Sequence, residues 1–243
     1  MEIPFQYGKI VEDDSFIDRI EDRKELKGFL SNGINTILVS PRRWGKSSLV
    51  KVAMKELAEE DKNIKVCFLD AFKIHSEEEF YDAFASAVIE GVSSTAEKRW
   101  GDFVKYIKSI SPTISFNDSP TTSVSLNLKF DPLKSNAESI LNLPEKMAED
   151  KGVKVIVCID EFQQLANINE WKKLVSTMRS VWQQQQLTSY CLYGSKRNMM
   201  LNIFNNSNSP FYRFGQVFFM QKIAKEHWIP FIQTSFEKTG KTI

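Results

Sequence analysis

Short apolar runs alternate along the chain with longer stretches in which apolar residues recur every three or four positions. Thr36-Ile37-Leu38-Val39-Ser40 predicts a buried strand. Leu49, Val50, Ala53, Met54 and Leu57 then fall on one face of an amphipathic helix. Lys65-Val66-Cys67-Phe68-Leu69-Asp70 predicts a second strand. Ser76 followed by Glu79 has the spacing of a capping box, after which Phe80, Phe84 and Val88 line a helical face. Residues 154–159 predict a third strand, and Trp171, Leu174, Val175, Met178, Val181 and Trp182 another helix, which the polar run Gln183 to Gln186 ends. Tyr190-Cys191-Leu192-Tyr193 and Val217-Phe218-Phe219-Met220 predict the fourth and fifth strands. Apolar strands separated by helices imply an α/β protein, with a parallel sheet covered on both faces.

One stretch breaks the rhythm. Val124, Leu126, Leu128 and Phe130 alternate strictly with Ser, Asn and Lys, as Ile114 and Phe116 do before Asn117-Asp118-Ser119-Pro120. This period of two predicts a β-hairpin insertion at about 112–131 with one wet face. It reads either as a decorated loop or as a platform for a protein partner.

Composition narrows the class. With 243 residues, 42% apolar and 26% charged, the chain has the make-up of a globular protein of one large domain, or one domain and part of a second. Its 32 basic and 31 acidic side chains give a formal net charge of +1, which exerts no global pull on nucleic acid. Cys67, Cys158 and Cys191 each lie inside an apolar run and form no CxxC pair, so they are expected to be buried free thiols. That fits a reducing compartment. No apolar run is long enough to span a bilayer, and the N-terminus lacks the shape of a signal peptide, so a cytoplasmic location without membrane attachment is expected.

The chemistry is concentrated in Ser40-Pro41-Arg42-Arg43-Trp44-Gly45-Lys46-Ser47, between the first strand and the first long helix. This is the phosphate-loop pattern Gly-x-x-x-x-Gly-Lys-Ser/Thr with serine in place of its first glycine. Backbone N–H groups of Arg42 to Ser48 and the helix N-terminus would wrap the phosphates, with Pro41, Arg42, Arg43 and Trp44 in the turn. Gly45 would let the backbone approach without a Cβ in the way. Lys46 would bridge the β- and γ-phosphates, and the Ser47 hydroxyl would hold Mg²⁺. Ser40 is small and can bond to the local backbone, so tolerance is expected. A second Gly240-Lys241-Thr242 triplet has no strand before it and reads as a helix end.

Asp160-Glu161 follows the third strand. The aspartate is placed to enter the magnesium shell and the glutamate to polarise the attacking water. At the end of the fourth strand Ser195 either points at the γ-phosphate or water, or caps the next helix. Arg197 and Arg213 are candidates for sensing phosphate; the alternative for Arg213 is a surface arginine.

These motifs resemble the archaeal and bacterial P-loop ATPases of the AAA-related STAND group. The resemblance rests on Phe16-Ile17-Asp18-Arg19 with Glu25-Leu26, the loop through Leu49, Ile159-Asp160-Glu161-Phe162-Gln163 and Tyr193-Gly194-Ser195, and it runs from about residue 4 to the end. It implies a three-layer P-loop NTPase fold with a five-stranded parallel sheet of order 5-1-4-3-2. It further implies an ATPase core over residues 1–222, the start of a truncated helical lid over 223–243, and an adenine near Phe5, Tyr7 and Gly8. The implied activity is Mg²⁺-dependent ATP hydrolysis coupled to movement of attached domains, with ATP or ADP bound and a protein partner or effector domain outside this chain. The alternatives are a slow-turnover nucleotide switch and a DNA-linked ATPase resembling origin-recognition proteins.

Overall fold

The computed structural model describes residue 17 and residues 19–93, 106–109 and 137–240. The hairpin expected at 112–131, the segment around Phe5, Tyr7 and Gly8, and Lys241 and Thr242 lie outside the described residues.

In chain order the elements are α1 (Ile20–Ser31), β1 (Thr36–Val39), α2 (Lys46–Glu60), β2 (Ile64–Asp70), α3 (Glu77–Val92), α4 (Ala137–Leu141), α5 (Leu143–Lys151), β3 (Lys154–Asp160), α6 (Trp171–Trp182), β4 (Thr188–Gly194), α7 (Arg197–Phe204), β5 (Gln216–Phe219) and α8 (Lys225–Glu237). The strands form one five-stranded sheet of order β2-β3-β4-β1-β5. Every neighbouring pair is parallel. This is the expected order, read from the other edge.

Successive strand residues point to opposite faces, so the sheet feeds two cores. Ile37, Val39, Val157, Ile159 and Leu192 pack under α3, α5, α6 and α7. Leu38, Ile156, Cys158, Cys191 and Tyr193 pack under α1 and α2. Burial on both faces explains why the central strands read as continuous apolar runs. The three cysteines are free and buried, and burial pushes the Cys158 thiol, opposite Cys191 in the β3–β4 register, well above its usual range.

Local chemistry sets several element ends. Ser76 Oγ accepts from Glu79 N at 3.1 Å, while the Glu79 carboxylate accepts from His75 N at 2.7 Å, so the return arm of the capping box lands one residue earlier than the usual pattern. The Gln183–Gln186 run does end α6, and it is also held in place. Gln185 accepts from the Tyr190 hydroxyl, and buried Glu145 accepts from Gln186 N, Leu187 N and the Thr188 hydroxyl.

A parallel sheet gathers the carboxyl ends of its strands along one edge. Val39 pairs in register with Gly194 and Phe219, and Asp70 with Asp160. The loops leaving those ends must converge there. An aromatic cluster beneath this edge holds the β3–α6 loop: Phe162 is buried against Trp171, Phe204 and Phe211, with ring centroids 5.6–6.1 Å apart. Such packing fixes where Glu161 and Gln163, on either side of Phe162, can point.

Candidate nucleotide site

The turn from β1 into α2 carries two left-handed residues, Arg43 at φ 65° and Gly45 at φ 81°. A Cβ built on Gly45 would meet no protein atom within 4 Å. The backbone angle by itself calls for glycine here, since no protein atom crowds the position. Ser40 is not among the positive-φ residues, is 1% exposed, and donates from its hydroxyl to the Pro41 carbonyl at 3.2 Å. Its backbone conformation makes no demand that only glycine meets. Ser40→Gly is accordingly expected to change ATP affinity by less than about threefold and to lower stability by no more than about 1 kcal/mol, from added unfolded-state freedom. Calorimetric titration and a thermal melt check both numbers, and a larger affinity change would give the first turn of the loop a role of its own.

Arg19 lashes the loop from outside. Its guanidinium donates to the Trp44 carbonyl at 2.9 Å, to the Gln221 carbonyl at 3.0 Å and to Asp22 at 2.6 Å. The loop is thus tied both to the start of α1 and to the segment leaving β5. Lys222 lies over the Trp44 ring, 5.7 Å from its centroid.

Lys46 opens α2 and is 7% exposed. Its ammonium lies 2.6 Å from Asp160 Oδ1 and 3.6 Å from Glu161 Oε1, and 4.8 Å from the centroid of the Tyr193 ring. The Ser47 hydroxyl donates to Asp160 Oδ2 at 2.5 Å. The phosphate-loop lysine and serine are therefore brought onto the aspartate that follows 113 residues after Ser47 in the chain. Ser47 Oγ and Asp160 Oδ2 are hard oxygen donors side by side, a set that fits Mg²⁺ completed by water and phosphate oxygens. Among the described residues no group of three or more His, Cys, Asp or Glu side chains could hold a metal by protein ligands alone.

Glu161 sits beyond the end of β3 with a left-handed φ of 49°, and its N–H donates to Asp160 Oδ1 at 2.8 Å. Its Oε2 accepts from Gln163 Nε2 at 2.5 Å and from the Ser195 hydroxyl at 2.9 Å. Burial pushes its carboxyl up. The Gln163 hydrogen bond, the Lys46 charge and the Ser195 hydrogen bonds outweigh that and hold it below its ordinary 4.5. It is a carboxylate at neutral pH.

Ser195 has a definite place. It does not cap α7, which starts at Arg197 after Lys196 without a side-chain cap. Its hydroxyl instead donates to Glu161 and accepts from Arg42 Nε at 3.3 Å. Pro41, Arg42 and Arg43 are exposed, whereas Ser48 is buried behind the loop. The exposed Arg197 reaches over the Phe219 ring at the same sheet edge, 5.4 Å from the centroid. Arg213 does not belong to the site. It precedes β5, whose first residue, Gln216, hydrogen-bonds to the Asn35 carbonyl before β1, so it lies at the amino edge of the sheet, against Tyr212. Lys46, Ser47, Asp160, Glu161 and Ser195 thus meet as one cluster. Gln163, Gly194 and Arg19, which had no role on sequence grounds, join or support it.

The comparisons with known proteins agree with this geometry. A family model described as an ATPase domain predominantly from Archaea matches residues 16–242. The chain belongs to that ATPase family. Among solved structures it resembles a Walker-type ATPase of Pyrococcus abyssi at 20% identity and TM-score 0.67, over 99% of this chain and 64% of that one. The Aeropyrum pernix ORC2 protein, solved as ADPNP–ADP complexes, is similar at 13% identity and TM-score 0.60, over 96% and 55% of the two chains. The Aeropyrum pernix ORC1 protein, solved in complex with DNA, follows at 13% identity and TM-score 0.56, over 93% and 51%. These likenesses show that the family's ATPase domain here has the P-loop ATPase fold. The chain spans between 51% and 64% of the length of these neighbours. No curated protein matches it. No helix among the described residues is long and apolar enough to cross a membrane.

Proposed function

We propose that the chain is an ATPase module, related to the STAND group, that binds ATP with Mg²⁺ and couples its hydrolysis to movement of attached domains; the rival reading is a slow-turnover nucleotide switch of the STAND type. The observation that carries this reading is the convergence of Lys46 and Ser47 on Asp160, with the ionised Glu161 beside them. Lys46 meets the β- and γ-phosphates. Ser47 and Asp160 supply oxygens to Mg²⁺, which when bound neutralises phosphate charge. Glu161 accepts the proton of the attacking water, whose oxygen bonds to the γ-phosphorus as the bond to ADP breaks. In α8 only Ser235 is buried, as suits the start of a lid rather than a core helix.

A DNA-linked role draws no support from a net charge of +1. Steady-state phosphate release by the purified chain decides between enzyme and switch. Many turnovers with Mg²⁺ are expected, abolished by EDTA and restored by added Mg²⁺. One bound nucleotide per chain without turnover would make it a switch, and no ATP binding at all would overturn the reading.

A further inference from the structure

Gln163 is fully buried, at 0% exposure, in the 3-10 turn that follows Glu161. Its Nε2 donates to Glu161 Oε2 at 2.5 Å, while its Oε1 is buried with no hydrogen-bond partner. A buried amide oxygen left unpaired costs stability, and such groups in folded proteins call for an explanation. The backbone next to it supplies one. A Cβ added to Gly194, the last residue of β4, would lie 1.8 Å from Gln163 Oε1 and 2.9 Å from its Cδ. Gly194 has no positive φ, so backbone freedom does not explain the glycine there. What it provides is space, and the Gln163 amide fills that space.

We propose that Gln163, lodged against Gly194, is a positioning residue that sets which oxygen of Glu161 faces the reacting water. The inference rests on the reading of Glu161 as the base. A carboxylate only accepts hydrogen bonds, so the amide must turn its NH₂ toward Glu161 and its oxygen toward Gly194. Ser195 donates to the same Oε2 from the other side. With Oε2 taken by two donors, Oε1, on the Lys46 side at 3.6 Å, is the oxygen left to receive a proton. Gln163 reaches Glu161 and Gly194 makes room for Gln163. Both act by holding Glu161, from two different strand ends.

Substitutions at Gln163 and Gly194 test this. Gln163→Leu should lower kcat roughly tenfold to a hundredfold, the scale of a misplaced catalytic group, with KM for ATP changed by less than about threefold. Gly194→Ala keeps every polar group and should reproduce the loss of kcat at a near-parental KM by displacing the amide. The double variant Gln163→Ala/Gly194→Ala should be no slower than Gln163→Ala, since the added methyl no longer meets the amide and its remaining neighbour, Met200 Sδ at 2.9 Å, is the far end of a flexible side chain. Gln163→Leu at the parental rate overturns the proposal, as does a loss shared equally between kcat and KM, or additive losses in the double variant. Any of these results alongside an inactive Glu161→Gln leaves the base assignment intact, whereas a fully active Glu161→Gln removes the base assignment itself.

Discussion

Lys46→Ala is expected to lose most of its ATP affinity, by about 30-fold to a few thousandfold. The range corresponds to roughly 2–5 kcal/mol, the usual cost of truncating one partner of a desolvated charge pair, at 1.4 kcal/mol per tenfold. Two effects add. The ammonium that would meet the phosphates is gone. In addition, Asp160 and Glu161, which it now neutralises at 2.6 and 3.6 Å, are left as unopposed negative charge beside a polyanionic ligand. The same loss of charge balance should cost stability, by about 1–3 kcal/mol, since the carboxylates keep some contact with water. Calorimetric titration of ATP and a thermal melt separate the two effects. Affinity within threefold of the parent would show that phosphate recognition is carried by the backbone of the loop, and the assignment of Lys46 would be overturned.

The parts of this protein that were legible in its sequence are those encoded locally. The central strands announced themselves because a chain segment buried on both faces must be apolar throughout, as Ile37 to Val39 and Val155 to Ile159 are. The phosphate loop was legible because its chemistry lies within eight consecutive residues. Ser195 was half legible: its place at a strand end could be read, but its hydrogen bond to Glu161 spans 34 positions and depends on β3 and β4 being neighbours. Gln163 had no legible role for the same reason, because the space that holds it is made by Gly194 on another strand. Arg213 could have been set aside from sequence alone. A residue just before a parallel strand lies at the edge opposite one that follows a strand, and the phosphate loop follows β1. The left-handed backbone angle of Gly45 was not legible, because it is set by the path of the turn into α2.

Glu161→Gln is expected to bind ATP within about threefold of the parent and to hydrolyse it roughly 100- to 10,000-fold more slowly, the scale of general-base catalysis. The substitution preserves volume, and the amide oxygen can still accept from Gln163 and Ser195, so the loop should keep its shape. What is lost is the capacity to take a proton. The pH dependence follows from the same environment. The Glu161 carboxyl is held below 4.5, so the acid limb it imposes on kcat/KM in the parent should fall below pH 4.5. For stability the sign is that of a depressed acid. Its ionised form contributes fully above the unfolded value of 4.5, and the contribution fades as pH falls through the lower folded value. The parent should therefore lose stability relative to Glu161→Gln below about pH 4.5, a trend that thermal melts at a series of pH values would reveal. Single-turnover measurements complete the test: unchanged phosphate release in the variant would move the base to another group, and a large loss of ATP affinity would make Glu161 a binding residue instead.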